Sequence, residues 1–298
     1  MEHHLRKSLA LVSVITVCLQ SYVAAAGYTN VYNSAAFSWL DQFNIQPPDV
    51  GSNACVPTSA INALGYLQNS YSTQFGTNLI GTGYANWLAN GQTMASSPYM
   101  DTTPTGTLFN HIPFALNKYV KLDKGFNDMT FSGMFNDSVW DLAPYNKPSY
   151  ITSGMPTTSF LTNALSQNGA IIMSLIYTNG GGHEVTVSGL NWNDANENNI
   201  MDNGEAKLSF VDPLDPSASY SGTNPLGAAK FTQGDIWWNT NKNELQFTYD
   251  QYGGSLPWEN TYGTVSDTYI NTMFVMTVPE PSTSALFALA GLGFIGLA

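Results

Sequence analysis

Ala170-Ile171-Ile172-Met173-Ser174-Leu175-Ile176-Tyr177, then Asn179-Gly180-Gly181-Gly182, then His183-Glu184-Val185-Thr186-Val187-Ser188-Gly189-Leu190 is the stretch on which the fold turns. The first run is apolar almost throughout and of strand length, so it reads as a buried strand. The Asn-Gly-Gly-Gly run breaks it as a flexible turn. After the glycines, Val185 and Val187 alternate with polar residues, the mark of a second strand. Downstream, Leu208–Val211, Glu244–Tyr249 and Thr268–Met276 read as further strands. Upstream the pattern is helical. From Cys55 or Val56 to Gln68, Ile61, Leu64 and Leu67 recur at helical spacing, Ala60 and Ala63 favour the helix, and Pro57 suits its first turn. Thr107–Tyr119 and Ser159–Gln167 read as two more helices, and residues 75–104, rich in Gly, Asn, Ser and Thr, as a loop region. Ala36–Leu40 suits a short helix. Helices first and antiparallel strands later predict an α+β fold, an N-terminal helical part packed on a C-terminal antiparallel sheet.

The ends carry addresses rather than structure. Arg6 and Lys7 precede an apolar run, Leu9–Leu19, and Ala24-Ala25-Ala26 supplies small residues for cleavage, so residues 1–26 read as a secretory signal peptide. At the other end, Val278-Pro279-Glu280-Pro281-Ser282-Thr283 precedes an apolar run, Ala285–Ala298. This resembles the PEP-CTERM sorting signal of Gram-negative bacteria. The resemblance implies exosortase-type processing machinery as a partner, transient membrane association through the tail 278–298, and a secreted or cell-surface location. Between the ends, residues 27–277 have the length of one domain.

Composition narrows the function. The interior is rich in Tyr, Phe and Trp, with only 10% charged residues, which is the opposite of a disordered chain. With nine Lys and Arg against 21 Asp and Glu, the net charge is −12. Nucleic acid needs a basic surface and is excluded as a partner. Cys18 leaves with the signal peptide, so Cys55 is the one cysteine of the mature chain, without an internal disulfide partner.

Cys55 stands where a helix begins. The partial positive charge of a helix N-terminus favours a thiolate, the reactive form of cysteine. A base and an orienting group are then needed. His183 follows three glycines at the start of a strand, and Asp212 ends the next strand in Phe210-Val211-Asp212-Pro213. Neighbouring antiparallel strands bring those two side by side. The runs Cys55-Val56-Pro57-Thr58-Ser59, Gly182-His183-Glu184-Val185 and Val211-Asp212-Pro213 resemble the motifs of papain-like cysteine peptidases, more narrowly the C39-like group. The resemblance implies a papain-like fold and a hydrolase acting on a peptide or protein substrate. By it Cys55 is nucleophile, His183 general base then acid, and Asp212 the orienter. It also implies a Gln before the Cys as oxyanion donor, here Gln46. The runner-up is a catalytically degenerate surface binding or matrix protein stabilised by calcium.

Between the two strands that carry His183 and Asp212 lies a twelve-residue loop, 194–205. Asp194, Asn196, Asn198, Asp202 and Glu205 occupy positions 1, 3, 5, 9 and 12, and the carbonyl of Ile200 position 7. That is the spacing of an EF-hand loop and predicts a Ca²⁺ site, since Ca²⁺ takes six to eight oxygens. Asn199 stands at position 6, where the left-handed backbone usually falls to Gly.

Overall fold

A computed structural model describes residues 28–32, 34–45, 53–141, 145–177, 180–214, 227–228, 231–248 and 268–279. The strands are β1 (Tyr28–Val31), β2 (Ser38–Trp39), β3 (Thr130–Phe135), β4 (Ile151–Ser153), β5 (Ala170–Ile176), β6 (Gly182–Trp192), β7 (Ala206–Val211), β8 (Gly227–Ala228), β9 (Phe231–Asn239), β10 (Glu244–Phe247) and β11 (Thr268–Thr277). The helices are α1 (Cys55–Ser70), α2 (Ser72–Phe75), α3 (Gly83–Ala95), α4 (His111–Asn117) and α5 (Thr158–Ser166); α4 runs on as a wider π-helical stretch, Lys118–Asp123.

Six strands close on themselves. Following the ladders, β6 pairs β7, β7 pairs β9, β9 pairs β10, β10 pairs β11, β11 pairs β5 and β5 returns to β6, every pair antiparallel. The architecture is therefore mostly a closed six-stranded antiparallel β-barrel with few helices. This corrects the expectation of a papain-like α+β fold with a helical part laid over a sheet. The reason lies in β11. Its residues are buried along nearly the whole length, and it pairs β5 along one side and both β10 and β3 along the other. A fully buried strand shows an apolar run, which says nothing about which distant strand it will meet. Closure is helped by register shifts between Val187 and Gly189 on β6 and between Ile270 and Thr272 on β11, since bulges sharpen local twist. Outside the ring, β1 joins the edge of β6, and β3 carries β4 in parallel.

Helix α1 is the keystone of the helical side. Val56 to Gln68 are all buried, so it is enclosed on every face. Against β6 it is held by a reciprocal pair of hydrogen bonds. The Ser59 hydroxyl donates to the Glu184 carbonyl (2.8 Å), and the Thr186 hydroxyl donates to the Ser59 carbonyl (2.8 Å). On another face Gly65 leaves room for the Trp87 indole of α3; a Cβ there would sit 2.0 Å from Trp87 Cη2. Helix α3 itself falls inside the stretch read as loop. Its buried face is thin, Trp87, Gly91, Met94 and Ala95, and its other positions, Asn, Gln and Thr among them, are exposed or half-buried, so its periodicity is weak. At residues 34–39 a 3₁₀ turn, Ser34–Ala36, and β2 stand where a short helix was expected. Among the described residues no helix is long and apolar enough to cross a membrane. The signal-peptide segment, Gln46 and the tail from residue 280 on lie outside the described residues.

Candidate functional site

The closed barrel and α1 meet at one cleft. Cys55 is the first residue of α1, half-buried and unbridged. Its N-cap, Ala54, makes no side-chain hydrogen bond to the first turn. His183 is the second residue of β6, paired across to Leu175 of β5. Asp212 follows the last residue of β7. The 29 positions between His183 and Asp212 are bridged by the β6–β7 hairpin, so the two side chains end side by side: His183 Nε2 lies 2.9 Å from Asp212 Oδ1.

Asp212 is fixed from three directions. Its Oδ1 also accepts from the Leu214 N–H (2.8 Å), and its backbone carbonyl accepts from Trp39 Nε1 (2.5 Å). The next carbonyl, Pro213, accepts from the Gln42 N–H (2.9 Å). With the carboxylate anchored and only 2% of Asp212 exposed, Nε2 is the donor that satisfies it, and Nδ1 is left to the sulfur. The Cys55 side chain does hydrogen-bond His183. Burial alone would push the imidazole toward its neutral form, but the charge and hydrogen bond of Asp212, with smaller help from Cys55, outweigh it and raise the His183 pKa to about 10. The structure thus brings Cys55, His183 and Asp212 into one chain of contacts. A sulfur, a base already disposed to hold a proton, and a carboxylate behind the ring are the parts of nucleophilic acyl transfer.

The cleft holds about 350 Å³ and is lined by Gln42, Cys55, Phe109, Tyr177, His183 and Leu214 among others. Gln42 was missed by sequence reasoning, which carried Gln46 over from the peptidase resemblance. It opens a 3₁₀ turn, Gln42–Asn44, whose cap Asp41 accepts from the Phe43 N–H (3.0 Å). An Asp directly after the apolar Trp39-Leu40 was the available signal, because it marks the start of a turn. The cleft is also lined by a tight turn, Thr103–Gly106, tied to the segment before Cys55 by Asn53 Nδ2 donating to the Pro104 carbonyl (2.6 Å). His111 is not at the cleft lining. It is buried, with Nδ1 3.0 Å from the Met100 carbonyl and its ring edge-on to Tyr145, a packing role.

The loop 194–205 is organised around its oxygens. Asp194 is buried, and its two carboxylate oxygens accept from the N–H groups of Asn198 (3.1 Å) and Asn199 (2.9 Å). Glu205 reaches back to the N–H groups of Ala195 and Asp202, and the amides of Asn196 and Asn198 both meet Asp202 Oδ2 (2.8 and 2.9 Å). Asn199 takes the left-handed backbone (φ 59°). The two Asn oxygens are taken up by the backbone, Asn196 Oδ1 accepting from the Asn198 N–H (3.1 Å) and Asn198 Oδ1 from the Ile200 N–H (2.7 Å), so it is their NH2 groups that meet Asp202. Among the described residues no three His, Cys, Asp or Glu side chains cluster as a metal site; here two of the five side-chain oxygen carriers are Asn. The fit to Ca²⁺ is one of spacing and backbone, and the Ile200 carbonyl belongs to it by position.

Comparison with known proteins adds the address. The PEP-CTERM protein-sorting motif matches residues 277–298. No curated protein matches the chain. The motif makes this an extracellular or cell-surface bacterial protein, and it implies recognition by exosortase processing machinery.

Proposed function

We propose that this surface-sorted protein is a cysteine peptidase, hydrolysing an amide bond of a peptide or protein substrate through Cys55, His183 and Asp212. The observation that carries the reading is the buried His183, which touches the Asp212 carboxylate on one side and the Cys55 side chain on the other. In the reaction the sulfur attacks the carbonyl carbon, and the oxyanion faces the first-turn N–H groups of α1 and the Gln42 amide. His183 then gives its proton to the leaving amine as the C–N bond breaks, leaving an acyl-enzyme thioester. Water, deprotonated by the same imidazole, cleaves the thioester and restores the thiol. Asp212 keeps the ring oriented throughout. Loop 194–205 is proposed to take Ca²⁺ and so to clamp the hairpin that carries His183 and Asp212. The motif likeness to C39-like peptidases supports the chemistry at three positions and no longer the fold. The test is hydrolysis of a peptide library at pH 7 by the full chain and by C55A. Cleavage lost in C55A supports the reading; no cleavage by either, with Cys55 inert to thiol reagents, leaves a surface protein without this chemistry.

A further inference from the structure

The barrel has two ends, and the cleft occupies one of them. Along the ladders His183 stands opposite Leu175, and Ile176, at the end of β5, stands opposite Tyr269 near the start of β11. The other end is where β5 begins and β11 finishes: Ala170 pairs Met276, and Thr130 of β3 pairs Thr277. From Tyr269 to Thr277 the strand covers about 26 Å, at about 3.3 Å per residue. The sorting motif, 277–298, therefore leaves the barrel at the end away from Cys55. It leaves with little slack. Val278 is still buried, and residues 280–284 alone separate the described chain from the uncharged apolar run Ala285–Ala298, a reach of at most about 20 Å. Such a run in an exported chain finds its apolar phase in a bilayer. This end of the barrel is then held close to the lipid headgroups.

Most of this protein's surface would be repelled by anionic lipid. The net charge is −12, and seven basic residues remain once Arg6 and Lys7 have left with the signal peptide. Three of the seven, Lys118, Lys121 and Lys124, fall in one stretch before β3. Each ammonium stands over an aromatic ring, Tyr99 (4.7 Å), Phe131 (5.0 Å) and Tyr119 (5.1 Å), which holds the side chain in place. Phe131 pairs Met276, so Lys121 lies beside the last residues of β11. Lys118 is neutralised by Asp123 (2.8 Å), whereas Lys121 and Lys124 form no ion pair among the described residues. Asp128 is the other acid nearby, and the stretch 118–128 is still net positive. Between the two lysines stands Leu122, 72% exposed, the most exposed large hydrophobic side chain among the described residues. The acidic loop 194–205 leaves the same end but on the far side, since β7 stands opposite β11 in the ring. We infer that residues 118–124 are a docking surface for an anionic phospholipid bilayer. Lys121 and Lys124 meet headgroup phosphates, Leu122 enters the acyl boundary, and the barrel leans onto its β3 side with the cleft turned to the medium. The inference is independent of the chemistry at Cys55.

The experiment uses the signal-cleaved chain with its tail, added to vesicles of phosphatidylglycerol or of phosphatidylcholine. The tail enters both, so the difference between them reports the charged surface. Partition should favour phosphatidylglycerol, and the double variant Lys121→Gln, Lys124→Gln should cut that preference by about 30-fold, the loss of two cations near an anionic surface. In a C55S background, an environment-sensitive fluorophore on Leu122→Cys should shift to the blue on phosphatidylglycerol, and the same fluorophore on Thr105→Cys, at the cleft end, should not. These positions are exposed or half-buried, so the substitutions spare the core. A fluorophore at 122 that stays in water, or a lipid preference that the double variant keeps, overturns the inference. An equally tight, lysine-dependent hold on soluble alginate overturns it too, making the stretch a site for an acidic polysaccharide.

Discussion

Raising the pH should unfold this protein from the inside of its site. His183 is raised from 6.5 to about 10 and Glu184 from 4.5 to about 8, so each holds in the fold a proton that the unfolded chain releases earlier. The sign is therefore the same for both. Glu184 contributes fully below pH 4.5, and its contribution is lost as pH rises to 8. His183 contributes fully below pH 6.5, and its contribution is lost by pH 10. At 1.36 kcal/mol per pH unit, each interval taken alone is worth about 5 kcal/mol. The two groups sense one another, so the sum is not expected; a net loss on the order of 5 kcal/mol between pH 5 and pH 10 is, out of a typical domain stability of about 5–15 kcal/mol. Asp123, held down mainly by its hydrogen bond from Lys118, acts with the opposite sign and only on the acid side. Urea unfolding followed by tryptophan fluorescence at pH 5, 7 and 9 measures this, with buried Trp39 and Trp87 as reporters. The midpoint should fall across the series, and in E184Q the fall between pH 5 and 7 should shrink. A midpoint that is flat or rises from pH 5 to 9 refutes the buried, proton-holding pair.

Three other perturbations probe separate parts. Gln42→Ala should lower kcat by about 10²–10³-fold while Cys55 alkylation is unchanged, as expected of an oxyanion donor; equal kcat removes Gln42 from the site. Gly65→Ala should destabilise by about 1–3 kcal/mol in chemical unfolding, because the added methyl meets the Trp87 ring at 2.0 Å, and a neutral result would disprove the α1–α3 packing. Ca²⁺ at about 100 times its Kd should stabilise by about 2.7 kcal/mol, seen as a Tm that falls on chelation in wild type and not in D194A; a Tm indifferent to EDTA ends the calcium proposal.

The parts of this molecule that were legible in the sequence are those set by local pattern. Helix α1 announced itself through Ile61, Leu64 and Leu67, and β5 and β6 through the apolar run and the glycine break. Cys55, His183 and Asp212 could be named because each sits at an element's end, where short motifs are visible. Barrel closure was not legible, since it depends on β11 returning 98 positions later to lay Thr272 beside Ser174. Gln42 was hidden for a related reason. Its distance from Cys55 along the chain differs from the one a motif would supply, and its place is set by the Gln42 N–H reaching the Pro213 carbonyl on a remote loop. The buried rung of Glu184, Ser174 and Thr272 was invisible because Glu184 alternates within an apolar strand and looks like a solvent-facing position until the barrel closes over it.

The central claim is that sulfur, imidazole and carboxylate act as one hydrogen-bonded unit. It is tested most directly by the rate at which iodoacetamide alkylates Cys55 at pH 6 in the wild type, in H183A and in D212N. The account predicts a wild-type rate on the order of 100-fold above H183A, with D212N between them. Equal, slow alkylation in all three would contradict it.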